Sequence, residues 1–238
     1  IPIKIFRMKH VGMRGKLINS ILPKVKSDII WIVETDAYYD RDYLKNSMRH
    51  FEDPKVAGTI GRIHCWEIKT FLDRCREVEL AARYRNYNPF TVWVIRTSTF
   101  RELGGFDERV WFFDDAMFGK VAKENGYRLV FEPKALWYHN EKSSLKVIAR
   151  QRFKWGYAYL LTLRHYRWFP LYIPLWTAAV VLLGTSFVWN FSSQFLAAGA
   201  ALFAGYTFYI GKDVFKVNKN PVYFVSITAI KLYKQFVT

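Results

Sequence analysis

The sequence has few cysteines and few acidic residues. Its two cysteines, Cys65 and Cys75, lack metal-site spacing and are too few for a disulfide framework, so we expect reduced thiols. Asp and Glu number 20 against 36 Lys and Arg, which gives the 238-residue chain a formal net charge of +16. This excess of positive charge indicates a polyanionic neighbour, which is nucleic acid, an acidic membrane surface or a phosphorylated substrate.

Charge is absent altogether from one long stretch, between Arg167 and Lys212. A membrane-spanning helix needs about 20 apolar residues, so this stretch is long enough for two. We predict transmembrane helices at 169–189 and 194–211, with a polar break between them; the alternative is a buried hairpin of a soluble protein. Basic residues on both sides predict that both ends are cytoplasmic, in a multi-pass protein of the cell membrane.

The segment 143–168, which precedes the uncharged stretch, combines basic residues with apolar residues at helical spacing. This pattern predicts an amphipathic helix at the membrane interface, with a cytoplasmic juxtamembrane segment at 212–238. Because the cations cluster beside the uncharged stretch, we expect membrane lipids as partners and no nucleic acid. The basic residues of the predicted helix are Lys146, Arg150, Arg152, Lys154, Arg164 and Arg167.

Residues 1–142 alternate between predicted strands and predicted helices, which indicates a layered α/β domain. The buried strand DIIWIVET ends at Glu34 and Asp36, whose side chains point the same way from an extended chain. Such a pair is either a solvated strand end or a site for Mg²⁺ or Mn²⁺. Asp114 and Asp115 precede a helix, where capping is the simpler explanation. His139 follows aromatic residues and is by itself more typical of a structural histidine.

Several motifs occur in an order that resembles glycosyltransferase family 2. They are K-x-x-N from Lys16 to Asn19, IVETD, VIRTSTFRELGGFDE, FDD, NGYRLVFEP, a histidine and QRFKW. The resemblance covers about residues 3–160. It implies a GT-A fold, which is Rossmann-like, followed by a membrane-anchored C-terminal part.

The resemblance also implies roles for individual residues. Glu34 and Asp36 match the D-x-D motif, which binds a nucleoside diphosphate through Mg²⁺ or Mn²⁺, and Asp36 is the more direct ligand because Glu34 is longer. Asp115 matches the catalytic base, with Asp114 beside it, and His139 matches a histidine that contacts metal or diphosphate. Lys16 and Asn19 match donor-binding positions. Gln151, Lys154 and Trp155 match the Q-x-x-R-W signature of processive synthases, with Lys for Arg and Arg152 inside the motif.

The family begins with a strand, a helix and an acidic strand that bind the nucleotide, whereas this chain starts at the strand IPIKIF. We therefore expect a GT-A domain that lacks its first strands, with an incomplete nucleotide pocket. The predicted function is a membrane-bound inverting glycosyltransferase that moves a sugar from a nucleotide-sugar donor to a lipid-linked or polysaccharide acceptor. The alternative is a catalytically inactive membrane scaffold of the same fold.

Overall fold

The structure is a computed structural model that describes residues 7, 13–139, 144–163 and 193–236. The described residues belong to two compact units. The first is drawn from 1–67, 86–142 and 157–162, and the second from 68–85, 143–156 and 163–238.

The first unit is a five-stranded sheet with short helices. Its strands, in the order β1-β4-β3-β5-β2, are β1 (Ile29–Trp31), β2 (Ala37–Tyr39), β3 (Val56–Cys65), β4 (Val94–Arg96) and β5 (Arg128–His139). Its helices are α1 (Arg14–Ile21), α2 (Tyr43–Met48), α4 (Thr97–Glu102) and α5 (Asp114–Glu124), with 3₁₀ turns at Leu22–Lys24 and Arg49–Glu52. This mixed α/β architecture confirms the predicted fold class at that level.

The sheet contains both strand directions. β3 pairs with β5 in parallel, whereas β1 with β4, β3 with β4, and β2 with β5 are antiparallel. The parallel register shifts between Gly61 and Arg62, whose partners on β5 are Glu132 and Leu136. Three residues of β5, beginning with Pro133, are therefore left out of the pairing, as expected where a proline interrupts a ladder. The run YRLVFEP predicts a strand from Tyr127 that ends at Pro133, whereas β5 continues to His139.

Aromatic residues form the core of the first unit. Phe106 and Phe118 both pack edge-on against Phe100, with ring centroids 4.8 and 5.0 Å away. All three side chains are almost fully buried, with Ile95 of β4 and Leu129 of β5 in the same cluster. Burying large rings contributes most of the apolar stabilisation of a small core. This core joins the sheet to α4, α5 and the GGFDE segment, so it also fixes the backbone on which the acidic residues lie.

The second unit is helical. It contains α3 (Phe71–Tyr84), the larger part of α6 (Leu145–Leu163), α7 (Ser193–Val217) and α8 (Pro221–Phe236). A capping box starts α3: the Thr70 hydroxyl accepts a hydrogen bond from the Asp73 N–H, and the Asp73 carboxylate accepts one from the Thr70 N–H. Cys75, Val214 and Ile227 form the core. Cys75 and Cys65 are both reduced, as predicted.

The predicted membrane hairpin receives no support. The segment 169–189 lies outside the described residues. The segment 194–211 falls within α7, which continues through Lys212, Asp213 and Lys216 to Val217. Across the described part of the chain, no helix is long and apolar enough to cross a membrane.

Candidate functional site

The register between β2 and β5 creates a cluster of two carboxylates and an imidazole. Glu34 and Asp36 follow β1, and Ala37 of β2 lies opposite His139 at the end of β5. His139 Nε2 is 3.5 Å from a carboxylate oxygen of Glu34 and 3.5 Å from one of Asp36. The three potential ligand atoms all lie within 4.8 Å of one another. The structure therefore brings together the three residues for which the sequence predicted metal binding.

The three side chains differ in exposure. His139 is 18% exposed and Glu34 29%, whereas Asp36 is 62% exposed. Burial raises the pKa of Glu34; the charge of His139 opposes this rise, and the negative charge of Asp36 adds to it. A cation placed between the two carboxylates would relieve their repulsion. Two hard oxygen donors and one imidazole nitrogen are a suitable ligand set for Mn²⁺ or Mg²⁺, so the residues fit the predicted metal.

Aromatic rings support this cluster from behind. The backbone N–H of Glu34 donates to the Tyr39 hydroxyl at 3.1 Å, and the Tyr39 ring stacks on Trp137 at 5.7 Å. Trp137 in turn packs edge-on against the His139 ring at 5.9 Å. These contacts restrict the position of the Glu34 backbone and of the His139 ring, which is what a preformed ligand set requires.

A second acidic pair begins helix α5. Asp114 is buried, and Arg14 holds it with a two-pronged ion pair: Nε to Oδ2 at 3.0 Å and Nη2 to Oδ1 at 2.5 Å. Asp115 is 15% exposed, and Arg14 Nη2 lies 3.6 Å from its Oδ1. Neither carboxylate is the N-cap of α5, since that position is Phe113. Both nevertheless lie in the first turn of α5, and the backbone N–H groups of Asp115 and Ala116 donate to the Asp115 carboxylate, so the helix start still favours this acidic pair.

Burial raises the pKa of Asp115; Arg14 opposes this rise, and the neighbouring charge of Asp114 adds to it. A carboxylate with a raised pKa accepts a proton more readily than an ordinary one. Arg14 instead engages Asp114 on both carboxylate oxygens, and the predicted part of Asp114 in binding the donor stays a prediction. The two adjacent aspartates therefore lie in different electrostatic environments.

The backbone before this pair is strained. Phe113 has φ 69° and ψ 15°, and among the described residues it is alone, apart from glycines, in having a positive φ. A bulky side chain rarely adopts this conformation, which costs of the order of 1–3 kcal/mol. This turn sets the direction in which Asp114 and Asp115 leave the loop. The strained residue therefore lies directly beside the candidate site.

Arg14 is the functional residue that the sequence reasoning missed. It acts electrostatically on Glu34 as well as on Asp114 and Asp115, and its guanidinium lies 5.2 Å from the Trp93 ring centroid. The charge of Asp115 also adds to the raised pKa of Glu34. Both acidic pairs are therefore within electrostatic range of each other in the first unit. The available signal was an arginine two residues before the K-x-x-N motif.

The K-x-x-N motif has one exposed and one structural member. Lys16 lies exposed on α1. The Asn19 side chain donates to the Phe106 carbonyl at 2.7 Å and to Glu108 at 3.2 Å, and accepts from the Phe106 N–H at 2.9 Å. Asn19 therefore fixes the GGFDE turn, where a Cβ on Gly105 would approach the Asn19 amide oxygen to 2.4 Å. Its predicted contact with the donor stays a prediction.

The residues of QRFKW all lie on α6, in the part of that helix that belongs to the second unit. Gln151 and Lys154 are exposed, while Arg152 and Trp155 are half-buried. The Arg152 guanidinium stacks over the Trp155 ring at 4.4 Å. Their predicted roles toward a donor or acceptor stay predictions.

A mixed α/β unit with an acidic cluster that includes a histidine, and with a recessed aspartate at a helix start, has the features of a GT-A glycosyltransferase domain. The family described as glycosyltransferase-like family 2 matches residues 2–158, which is more than half of the chain. The chain therefore belongs to glycosyltransferase family 2.

Individual relatives agree with this family. The pre-mycofactocin glycosyltransferases of two Mycobacterium tuberculosis strains, CDC 1551/Oshkosh and H37Rv, are each 29% identical over 161 residues, or 62% of this chain. The match takes up 34% of their length, so the chain spans about a third of these curated relatives. The crystal structure of S. aureus TarS has a TM-score of 0.39 and 16% identity, over 59% of this chain and 27% of that one. That structural similarity is too weak to bear on function.

Proposed function

We propose that the protein is an inverting glycosyltransferase that transfers a sugar from a nucleoside-diphosphate donor to a hydroxyl group of a lipid-linked or glycan acceptor. The observation that carries the proposal is the meeting, in one unit, of the Glu34, Asp36 and His139 cluster with Asp115. The charge of Arg14 links the cluster and Asp115, because it interacts with both Glu34 and Asp115. Family membership supports the reaction class.

The donor would be held at the first cluster. Asp36, Glu34 and His139 would bind Mg²⁺ or Mn²⁺, which when bound neutralises negative charge on a leaving diphosphate. Asp36, as the most exposed of the three, has its oxygens available to a ligand from solvent. Glu34 and His139 are recessed and restrained by aromatic rings, so they would fix where the diphosphate lies relative to Asp115.

Asp115 would act as the base. Its carboxylate takes the proton of the acceptor hydroxyl as that oxygen attacks the anomeric carbon. The bond from the anomeric carbon to the diphosphate oxygen breaks on the opposite side, which inverts the configuration. Burial raises the pKa of Asp115 and so makes it a stronger base, while the charge of Arg14 opposes the rise.

Replacing Asp115 with Asn tests this assignment. In the full-length protein we expect Asp115→Asn to lower sugar transfer by at least about a hundredfold, because a positioned base contributes roughly 10²–10⁴-fold. Donor affinity, measured by calorimetry, should stay within a few fold. The matched control is Asp42→Asn, an exposed aspartate that precedes α2, which should leave both quantities unchanged.

Two outcomes would contradict the proposal. If Asp115→Asn keeps wild-type turnover, Asp115 is not the base. If the wild-type protein neither binds nucleotide sugars nor transfers a sugar, the alternative of a catalytically inactive scaffold replaces the enzyme.

A further inference from the structure

The helical second unit contains a cavity of about 400 Å³ that is rich in positive charge. Each of its four helices contributes to the lining. The charged lining residues are the cations Arg152, Lys212, Lys231 and Lys234 and the carboxylates Glu79 and Asp213. Four cations against two carboxylates leave a formal excess of two positive charges. Most of these residues lie beyond residue 158, where the family match ends.

The two carboxylates of the cavity already have cationic partners. Glu79 accepts from Lys234 Nζ at 2.8 Å and from Arg76 Nη1 at 3.2 Å. Burial alone would raise the pKa of Glu79, but the charges of Arg76 and Lys234 lower it to about 2, so it stays ionised. Asp213 lies 3.4 Å from Lys216. The carboxylates are therefore shared among more cations than they can neutralise.

The cations of the cavity are partly removed from water. Lys234 is 8% exposed, and Lys231 is half-buried. Burial lowers the pKa of both lysines, and the charge of Glu79 opposes this in each. The neighbouring charges of Arg76 and Arg152 lower the pKa of Lys234 further. Lys212 extends over the Tyr209 ring at 4.3 Å. Cations that are crowded and desolvated in this way are stabilised by an anion in their midst.

We propose that this cavity binds a phosphate group carrying two negative charges, as in a phosphate monoester or a diphosphate. The charge of such a group matches the excess in the lining, and Arg and Lys are the usual partners of phosphate oxygens. The volume is in the range of small-molecule sites, so it also accommodates the group that carries the phosphate. The phosphate belongs to a lipid headgroup or to a free phosphate compound. This inference does not depend on the proposed sugar transfer.

Two binding measurements on the full-length protein, both at 150 mM salt with EDTA, distinguish the two sources. EDTA prevents diphosphate from binding through a metal at Glu34, Asp36 and His139. In the first, inorganic pyrophosphate is titrated by calorimetry. In the second, the protein is sedimented with phosphatidylcholine vesicles that contain phosphatidic acid, a phosphate monoester. Vesicles containing phosphatidylglycerol, a singly charged diester, at equal surface charge serve as the comparison.

The diagnostic variants change Lys231. Lys231→Gln should weaken binding by about tenfold or more, because one charge-assisted contact to phosphate is lost. Lys231→Arg should bind within about threefold of the wild type, since the charge is kept. Lys219→Gln, which removes an exposed lysine of the same unit, is the matched control and should have no effect.

Each outcome decides the proposal. Pyrophosphate binding that Lys231→Gln weakens by about tenfold or more supports the site with a free phosphate compound as ligand. Binding of phosphatidic acid vesicles alone, with the same dependence on Lys231, supports it with a lipid headgroup. Absence of binding to both probes overturns it. So does equal binding to phosphatidylglycerol, an equal loss in Lys219→Gln, or a loss in Lys231→Arg as large as in Lys231→Gln.

Discussion

Arg14 is a side chain whose charge and shape act on different neighbours. Its guanidinium fork holds Asp114, and its charge lowers the pKa of Asp115 against the rise caused by burial. Gly15 makes this position possible, since a Cβ there would lie 3.0 Å from the Phe106 Cβ and 3.4 Å from Asp114 Oδ2. The small residue beside Arg14 thus lets α1 approach Phe106 and Asp114 closely.

Removing the charge of Arg14 should shift the pH dependence of transfer. In Arg14→Gln the pKa of Asp115 rises further, because the influence that lowers it is gone. A base must be deprotonated, so the acidic limb of the kcat/KM profile should move to higher pH. Arg14→Lys keeps the positive charge but loses the two-pronged guanidinium contact with Asp114. The acidic limb of its kcat/KM profile should therefore stay near that of the wild type. A profile unchanged in Arg14→Gln would contradict this role.

The cluster at the end of β5 predicts specific metal binding. Asp36→Asn removes a charged oxygen ligand, so we expect Mn²⁺ affinity, measured by electron paramagnetic resonance, to fall by at least about tenfold. Asp28→Asn, an exposed aspartate just before β1, is the matched control and should bind Mn²⁺ like the wild type. Equal Mn²⁺ affinity in Asp36→Asn would show that the cluster is not a metal site.

The element that positions the site is the parallel pair β3 and β5. The break in register after Gly61 lets β5 pass Pro133 and still reach His139. At Gly61 a Cβ would lie 2.1 Å from the Ala135 carbonyl oxygen and 2.5 Å from the Tyr43 ring. Neither neighbour can move aside easily. The Ala135 oxygen belongs to the backbone, and the Tyr43 side chain is completely buried.

Gly61→Ala should therefore destabilise the protein by roughly 1–3 kcal/mol, the usual effect of overpacking a core. Urea denaturation measures the change. The contrasting control is Gly205→Ala on α7, where a Cβ meets nothing within 4 Å. In a helix that change should stabilise by about 0.5–1 kcal/mol. If Gly61→Ala were neutral, the close approach of β3 and β5 would be wrong.

At the scale of the whole molecule, the chain divides its chemistry between two units. The first holds the metal-binding candidates and Asp115; the second holds QRFKW and the basic cavity. The predicted location at the cell membrane stays a prediction.

The stability of the second unit depends on a largely buried carboxylate, Glu79, which forms ion pairs with Lys234 and Arg76. Acid weakens these ion pairs because it protonates Glu79.

These ion pairs predict how stability depends on pH. The pKa of Glu79 is lowered from 4.5 to about 2, so its contribution is present above pH 4.5 and is lost as pH falls toward 2. The contribution is at most about 3 kcal/mol. Glu79→Gln should be less stable than the wild type at pH 7 and should lose less stability between pH 5 and pH 2 in thermal unfolding. Glu124→Gln, an exposed control, should follow the wild-type curve.

Local sequence patterns determined most of the helices and one long strand. The spacing of apolar residues predicts helices over 40–53, 72–87 and 114–127 and a strand over 56–66. The helices α2, α3 and α5 and the strand β3 occur at these places, because their apolar faces repeat over enough residues. Helix α5 also ends as predicted, where Gly126 has φ 81°. The motifs likewise identified Glu34, Asp36, His139 and Asp115 as one group, since their order along the chain resembles that of the family.

Only the tertiary structure decided how those residues meet. β2 has three residues, too few for a periodic signal, and exists because β5 continues past Pro133 and offers it an edge. Arg14 is remote in sequence from Asp114, so no local pattern pairs them. The basic cavity combines residues as far apart in sequence as Glu79, Arg152 and Lys231. By itself, the sequence determined most of the elements and the family, since these depend on local spacing. Contacts between distant segments depend on tertiary packing. Packing therefore decided that Arg14 lies beside Asp114 and that the cations of the second unit surround one cavity.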